Sequence, residues 1–266
     1  MDDQKPNFVL VPDPKPEMRP AQRTGGGVPE RLRSLAHTLV SLLPSGALSS
    51  IASDRTAPMV ADRPKRPRLV FGFDATASRE PAWAVARTLT DALVRALPGE
   101  LDVALAVHGG SRLHTFTEFT PDSNALRDRA ASVACRAGQT QMLPILAASL
   151  KRPGVRVVVY TGDVFEESLA RGRKLADTLG QQGIKLFVLH DTSDWSARRD
   201  AEIFLDLARR TGGCVLPFDM TAPGKLRELL GAIAVFAVGG TALLEKKRQE
   251  VPGAVILLEH LGRTHR

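Results

Sequence analysis

Aromatic residues are scarce, at 5% of 266 residues with one tyrosine and two tryptophans, and cysteine is scarcer still, at two. The first shortage weakens a nucleic-acid reading. The formal charge is +7 and the pI near 9.8, but the Lys and Arg residues are scattered, with no rings interleaved on which bases could stack. The second shortage removes a disulfide framework and a zinc knuckle, because Cys135 and Cys214 lie far apart without a C-x-x-C pair. Buried free thiols in a reducing compartment are the expectation.

Other absences bear on targeting and catalysis. The opening "MDDQKPNFVLVPDPKPEMRP" starts with acids and is broken by prolines, so it lacks the basic and apolar regions of a secretory leader; a cytoplasmic protein is expected. The one long uncharged run, Leu229 to Leu244, falls short of the roughly 20 apolar residues that span a bilayer and reads as a buried terminal helix. There is no G-x-S-x-G elbow, no G-x-x-x-x-G-K-[ST] loop and no G-x-G-x-x-G after the first apolar run. "DATAS" also lacks the second Asp of a haloacid-dehalogenase-like phosphatase. A non-catalytic protein is therefore expected.

What is present falls into three parts: an arm over residues 1–66, a regular region over 67–248 and a tail over 249–266. The arm is rich in Pro, Gly, Ser and charge. Its one helical period is Pro29 to Pro44, where Leu32, Leu35, Leu39 and Leu42 recur on one face, for packing on its own domain or docking on another protein. "DRPKRPR" (Asp62 to Arg68) reads as a solvated linker.

From Leu69 short apolar runs alternate with helical periods. Strands are predicted at 68–73, 101–107, 113–119, 155–160, 184–190 and 214–218. Several are apolar at consecutive positions, as in a parallel sheet covered on both faces. "LHTFTEF" (113–119) alternates instead and follows a Gly-Gly turn, which predicts an antiparallel edge strand. Helices are predicted at 81–97, 124–136, 143–151, 165–182 and 196–210, with Gly183 and Gly212 stopping the last two. The fold class is α/β: a doubly wound, mostly parallel, six-stranded sheet with helices on both faces.

In such a sheet, ligands gather beyond the carboxyl ends of the central strands. Three loops bring oxygen there: Asp74, Thr76 and Ser78 after the first strand, Thr140 in "GQTQM", and Thr161 and Asp163 in "YTGDVFEE". Carboxylates with hydroxyls suit Mg²⁺, a hard cation that takes octahedral oxygen ligands. Neutral hydroxyls leave much of its charge uncancelled, which favours an incoming carboxylate.

These residues resemble the von Willebrand factor A (VWA) family, whose metal-ion-dependent adhesion site (MIDAS) is D-x-S-x-S on the first strand, a Thr in a later loop and an Asp after the fourth strand. Here D-A-T-A-S (Asp74 to Ser78) matches with Thr for the first Ser, Thr140 matches the lone Thr, and Asp163 stands for the last Asp. More narrowly, "DATASREPAW", "YTGDVFEE", "TGGCVLPFD" and "LRELLGAIAVFAVGG" look like a bacterial, intracellular branch of that family. The resemblance implies a Rossmann-like VWA domain, with Mg²⁺ or Mn²⁺ held by Asp74, Thr76, Ser78, Thr140 and Asp163, and a partner protein supplying an Asp or Glu. One departure stands out: the family writes the last loop T-D-G, whereas this chain has T-G-D, so Asp163 is expected to reach the ion by a different loop path, directly or through water.

Other readings stay open at this level. Thr76 or Ser78 could cap a helix, and Arg79 could pair with Asp74. Glu166 and Glu167 read as first-turn acids of their own helix. His108, His114 and His190 read as satisfied or solvated. A metal-free scaffold recruiting partners through the arm and a metal-dependent phosphoesterase are the alternatives from other classes.

Overall fold

Val155–Gly162 reads VRVVVYTG, and every position except Arg156 is buried, so neither face of this strand meets water. Only a sheet with helices on both sides hides a run of that kind. The computed structural model describes residues 64–110, 112–191, 197–219 and 221–264. The expected helix at Pro29–Pro44, with most of the arm, lies outside the described residues.

The strands are β1 (Arg68–Asp74), β2 (Asp102–Gly109), β3 (Arg112–Phe116), β4 (Val155–Gly162), β5 (Lys185–Asp191) and β6 (Val215–Phe218). They form one six-stranded sheet in the order β3-β2-β1-β4-β5-β6. All neighbours run parallel except β2 and β3, so β3 is the antiparallel edge strand that its alternation predicts. The chain turns outward from β1 to β2, then crosses back to β4 on the other side of β1. That reversal opens a crevice at the carboxyl ends of β1 and β4.

The helices are α1 (Glu80–Leu89), α2 (Ala92–Arg95), α3 (Ser123–Ala131), α4 (Leu143–Leu150), α5 (Leu169–Gln181), α6 (Ala201–Thr211), α7 (Pro223–Lys246) and α8 (Ala254–Thr264). On one side of the sheet, Leu69, Phe71 and Phe73 of β1 join a core with Trp83, Leu93, Ile233 and Leu257 from α1, α2, α7 and α8. On the other side, Val70, Val158, Tyr160 and Val188 pack with Ile145, Leu179 and Phe204 from α4, α5 and α6. Each such side chain contributes about 1.5–3 kcal/mol on burial. Gly183 and Gly212 both carry positive φ beyond the ends of α5 and α6, as expected.

Several elements differ from the sequence expectation. The period over 81–97 splits into α1 and α2 at Thr90 and Asp91. There the Thr90 hydroxyl donates to the Arg87 carbonyl (3.0 Å), and Asp91 pairs with Arg227 of α7 (3.2 Å). α3 ends at Ala131 because the chain beyond it is drawn beside the β1 loop, where Arg136 N donates to Ala75 O (2.8 Å). α5 begins at Leu169, capped by Ser168, which leaves Glu166 and Glu167 ahead of it. The tail over 249–266 holds α8, with Ala254, Leu257 and Leu261 buried against the core.

α7 is long and apolar enough by composition to cross a bilayer, but half of that apolar window is buried, with Leu230, Ala232, Ile233, Ala234 and Val235 fully covered. The expected helix is present but only half buried over this window; it kinks at Gly240 (φ 65°) and is not terminal, since α8 follows it. Both cysteines are free thiols, Cys214 buried and Cys135 partly so, and burial pushes each up to about 12.

Candidate functional site

Asp74 closes β1 at the centre of the carboxyl edge, in register with His108 at the end of β2, and it is fully buried. The chain then stays extended for two residues, pinned by Ala75 N donating to His108 O (2.8 Å) and by a bridge between Thr76 and Arg136. A short 3-10 turn, Ala77–Arg79, leads into α1, whose start is favoured by Pro81 in the first turn. This path carries Thr76 and Ser78 past Asp74, and their hydroxyls lie 3.3 Å apart. Neither hydroxyl caps the 3-10 turn or α1, so the capping reading has no support here.

The loop bearing Thr140 reaches the same point from the far side of β2. It crosses the β2–β3 hairpin so closely that a Cβ on Gly138 would sit 2.3 Å from Gly110 Cα, which glycine at both positions permits. Thr140 then donates its hydroxyl proton to Asp74 Oδ2 (2.9 Å), while Asp74 Oδ1 accepts from Thr76 N (3.0 Å). The loop is tied at three further points: Thr140 N donates to Glu166 Oε2 (2.8 Å), Gln141 N to His108 Nε2 (3.1 Å) and Leu143 N to Glu167 Oε2 (2.8 Å). Glu166 and Glu167 therefore hold the loop and the start of α4, not the first turn of their own helix.

Asp163 follows β4 at the same edge. Its Oδ1 accepts from Val164 N (2.8 Å), and its Oδ2 faces Arg79 Nη1 at 3.6 Å. Arg79 is buried, and the same Nη1 donates to Asp191 Oδ2 at 2.6 Å. The pairing of Arg79 with Asp74 is thus replaced by pairing with Asp191 and Asp163. Asp163 remains near enough for its charge to act on Asp74. The structure accordingly joins Asp74, Thr76, Ser78 and Thr140 by direct contacts, with Asp163 alongside and turned to Arg79. Thr161 is buried behind them, its hydroxyl without a hydrogen-bond partner among the described residues.

Burial raises the Asp74 carboxyl above its ordinary value of 3.8, against the hydrogen bonds from Thr140 and Thr76 that lower it. Burial also lowers His108 to about 4, helped by the charge of His114. His108 is therefore neutral at pH 7, and since Nε2 accepts the Gln141 N–H its proton is assigned to Nδ1. His108 Nε2 and Asp74 Oδ1 stand 3.5 Å apart, two acceptors facing each other. His190 is satisfied as expected, its Nε2 3.0 Å from Asp163 O. Sequence spacing did not reveal His108 as a neighbour of Asp74; the parallel pairing of β1 with β2 supplies that contact.

Thr76, Thr140 and His108 surround Asp74 without a fixed positive charge, and among the described residues no three His, Cys, Asp or Glu side chains gather where they could hold one ion. A cation here would rest on one buried carboxylate and hydroxyl oxygens. That donor set fits Mg²⁺ or Mn²⁺, and the ion would give Asp74 the counter-charge its burial calls for.

Neither a protein-family model nor a curated protein sequence matches the chain significantly. Solved structures do. A von Willebrand factor type A protein from Catenulispora acidiphila superposes with a TM-score of 0.55 at 16% identity, over 65% of this chain and 43% of that one. The chain has the von Willebrand factor A fold. The SpaC pilus adhesin of Lactobacillus rhamnosus GG shares this VWA fold (TM-score 0.52, 11% identity, 65% of this chain and 30% of that one). So does proximal thread matrix protein 1 of the mussel byssus, in a form with a zinc-occupied MIDAS motif (0.50, 13%, 64% and 46%). This chain spans less than half of each of the three.

Proposed function

We propose that this VWA domain binds a partner protein reversibly through a divalent cation, Mg²⁺ or Mn²⁺, and that the partner contributes an Asp or Glu carboxylate. The observation that carries the reading is Asp74: a carboxylate at 0% exposure, ringed by hydroxyls and an amide. The mussel protein of like fold has its MIDAS motif occupied by zinc, which supports a metal at the corresponding edge here.

Asp74 supplies the negative charge; Thr76, Ser78 and Thr140 supply neutral oxygens. Glu166, Glu167 and His108 hold the Thr140 loop in place, so the cradle is organised before any ligand arrives. Ser78 is exposed and marks the open side. A bound cation would supply a positive centre for the partner's carboxylate there.

Titration calorimetry with MgCl₂ and MnCl₂ on the full chain tests this. Binding to the wild type, lost in Asp74→Asn with the fold intact by circular dichroism, is the expected result. Equal heats from both proteins, or none from the wild type, would overturn the reading.

A further inference from the structure

Arg79 sits where an all-oxygen metal site has no use for a cation. Its guanidinium is 5% exposed, hydrogen-bonded to Asp191 at 2.6 Å and facing Asp163 Oδ2 at 3.6 Å through the same nitrogen. Nε and Nη2 are buried with no hydrogen-bond partner among the described residues. The charge is therefore directed through Nη1 at two carboxylates, Asp191 and Asp163. The T-G-D order matters here: Gly162 is the last residue of β4, so Asp163 is the first residue beyond it. From that position its carboxylate meets the Val164 amide and the guanidinium.

Resting on the metal reading above, we propose that Arg79 is a specificity-determining residue that withholds Asp163 from the ion. A divalent ion in the cradle then has one protein carboxylate, Asp74, in place of two. Such an ion is held weakly by the domain alone and gains its second anionic oxygen from the partner. Asp163 is stabilised where it stands by the guanidinium, so moving it to the ion would leave Arg79 to Asp191 alone. Ion binding and partner binding are coupled by this arrangement, and each strengthens the other by the same factor.

The test is a four-protein cycle read by Mg²⁺ affinity in calorimetry: wild type, Asp163→Asn, the paired replacement Arg79→Gln with Asp191→Asn, and all three changes together. The paired replacement removes the guanidinium without stranding a buried Asp191 charge, so the fold is kept, and melting curves in EDTA verify it. Asp163→Asn is expected to change affinity less than about twofold in the wild type. In the paired background, affinity is expected to rise about tenfold, and adding Asp163→Asn is expected to remove that gain, because the freed carboxylate now ligates. Equal loss on Asp163→Asn in both backgrounds would show that Asp163 ligates despite Arg79 and would overturn the proposal. No effect of Asp163→Asn in either background would overturn it as well, since Asp163 would then not be a ligand that Arg79 could withhold. Absence of Mg²⁺ heat from every protein would instead fail the metal reading itself, and the inference with it.

Discussion

Thr140 donates its hydroxyl proton to Asp74 Oδ2 over 2.9 Å, joining two buried residues 66 apart in the chain. The bond does two things. It offsets part of the desolvation of Asp74, and it fixes the Thr140 hydroxyl at the cradle before any ligand binds.

Thr140→Val keeps the size and branching of the side chain but removes that donor. The Asp74 carboxylate then loses a bond it cannot replace with water, a loss of about 1–3 kcal/mol. Denaturant unfolding in EDTA should show a lower midpoint with an unchanged slope. Mg²⁺ affinity should fall in calorimetry, because one neutral oxygen is gone.

Asp74→Asn should act in opposite directions with and without metal. The folded-state carboxyl is raised above 3.8 by burial, so the folded protein holds its proton to higher pH than the unfolded chain does. Stability from this group is present below 3.8 and is lost as pH rises through the raised folded value. At pH 7 in EDTA the variant should therefore melt at or above the wild type. In Mg²⁺ a hundredfold over its dissociation constant, the wild type should gain about 3 kcal/mol and the variant nothing.

His108 predicts a pH response of opposite sign between about 4 and 6.5. Burial lowers it from 6.5 to about 4, so between those values the unfolded chain takes a proton that the folded protein refuses. Its contribution is complete above 6.5 and is lost as pH falls towards 4. His108→Gln keeps an acceptor for the Gln141 N–H and does not titrate. Unfolding midpoints measured from pH 7 to 4.5 should decline less steeply in the variant. Some decline should persist, since His260 is also lowered by burial.

The fold was legible where burial leaves a local trace. Val155 to Tyr160 and Ile184 to His190 read as covered strands because both faces are largely apolar, and "LHTFTEF" read as an edge because it alternates. The meeting of Asp74, Thr76, Ser78 and Thr140 at one sheet edge was legible because oxygen donors at loop ends have few structural uses in such numbers. The partners of Arg79, Glu166 and Glu167 were not, because each reaches a different element across the crevice and sequence spacing carries no information on that reach. The break of the 81–97 period at Asp91 has the same origin: its partner, Arg227, lies on α7. The helix expected at Pro29–Pro44 lies outside the described residues.

Gly138 separates the loop path from glycine's general softness. A Cβ there would lie 2.3 Å from Gly110 Cα, a backbone atom that cannot turn aside, so Gly138→Ala must push the 137–141 loop off the hairpin. Thr140 would move with it, away from Asp74. Overpacking of this kind costs about 1–3 kcal/mol, and Mg²⁺ affinity should fall alongside stability. Gly224→Ala is the control: it lies in the first turn of α7, where a Cβ would meet nothing within 4 Å. That change should leave Mg²⁺ affinity unaltered and stabilise the protein by about 0.5–1 kcal/mol. Equal losses of affinity from both variants would mean that the close crossing at Gly138 does not set the position of Thr140.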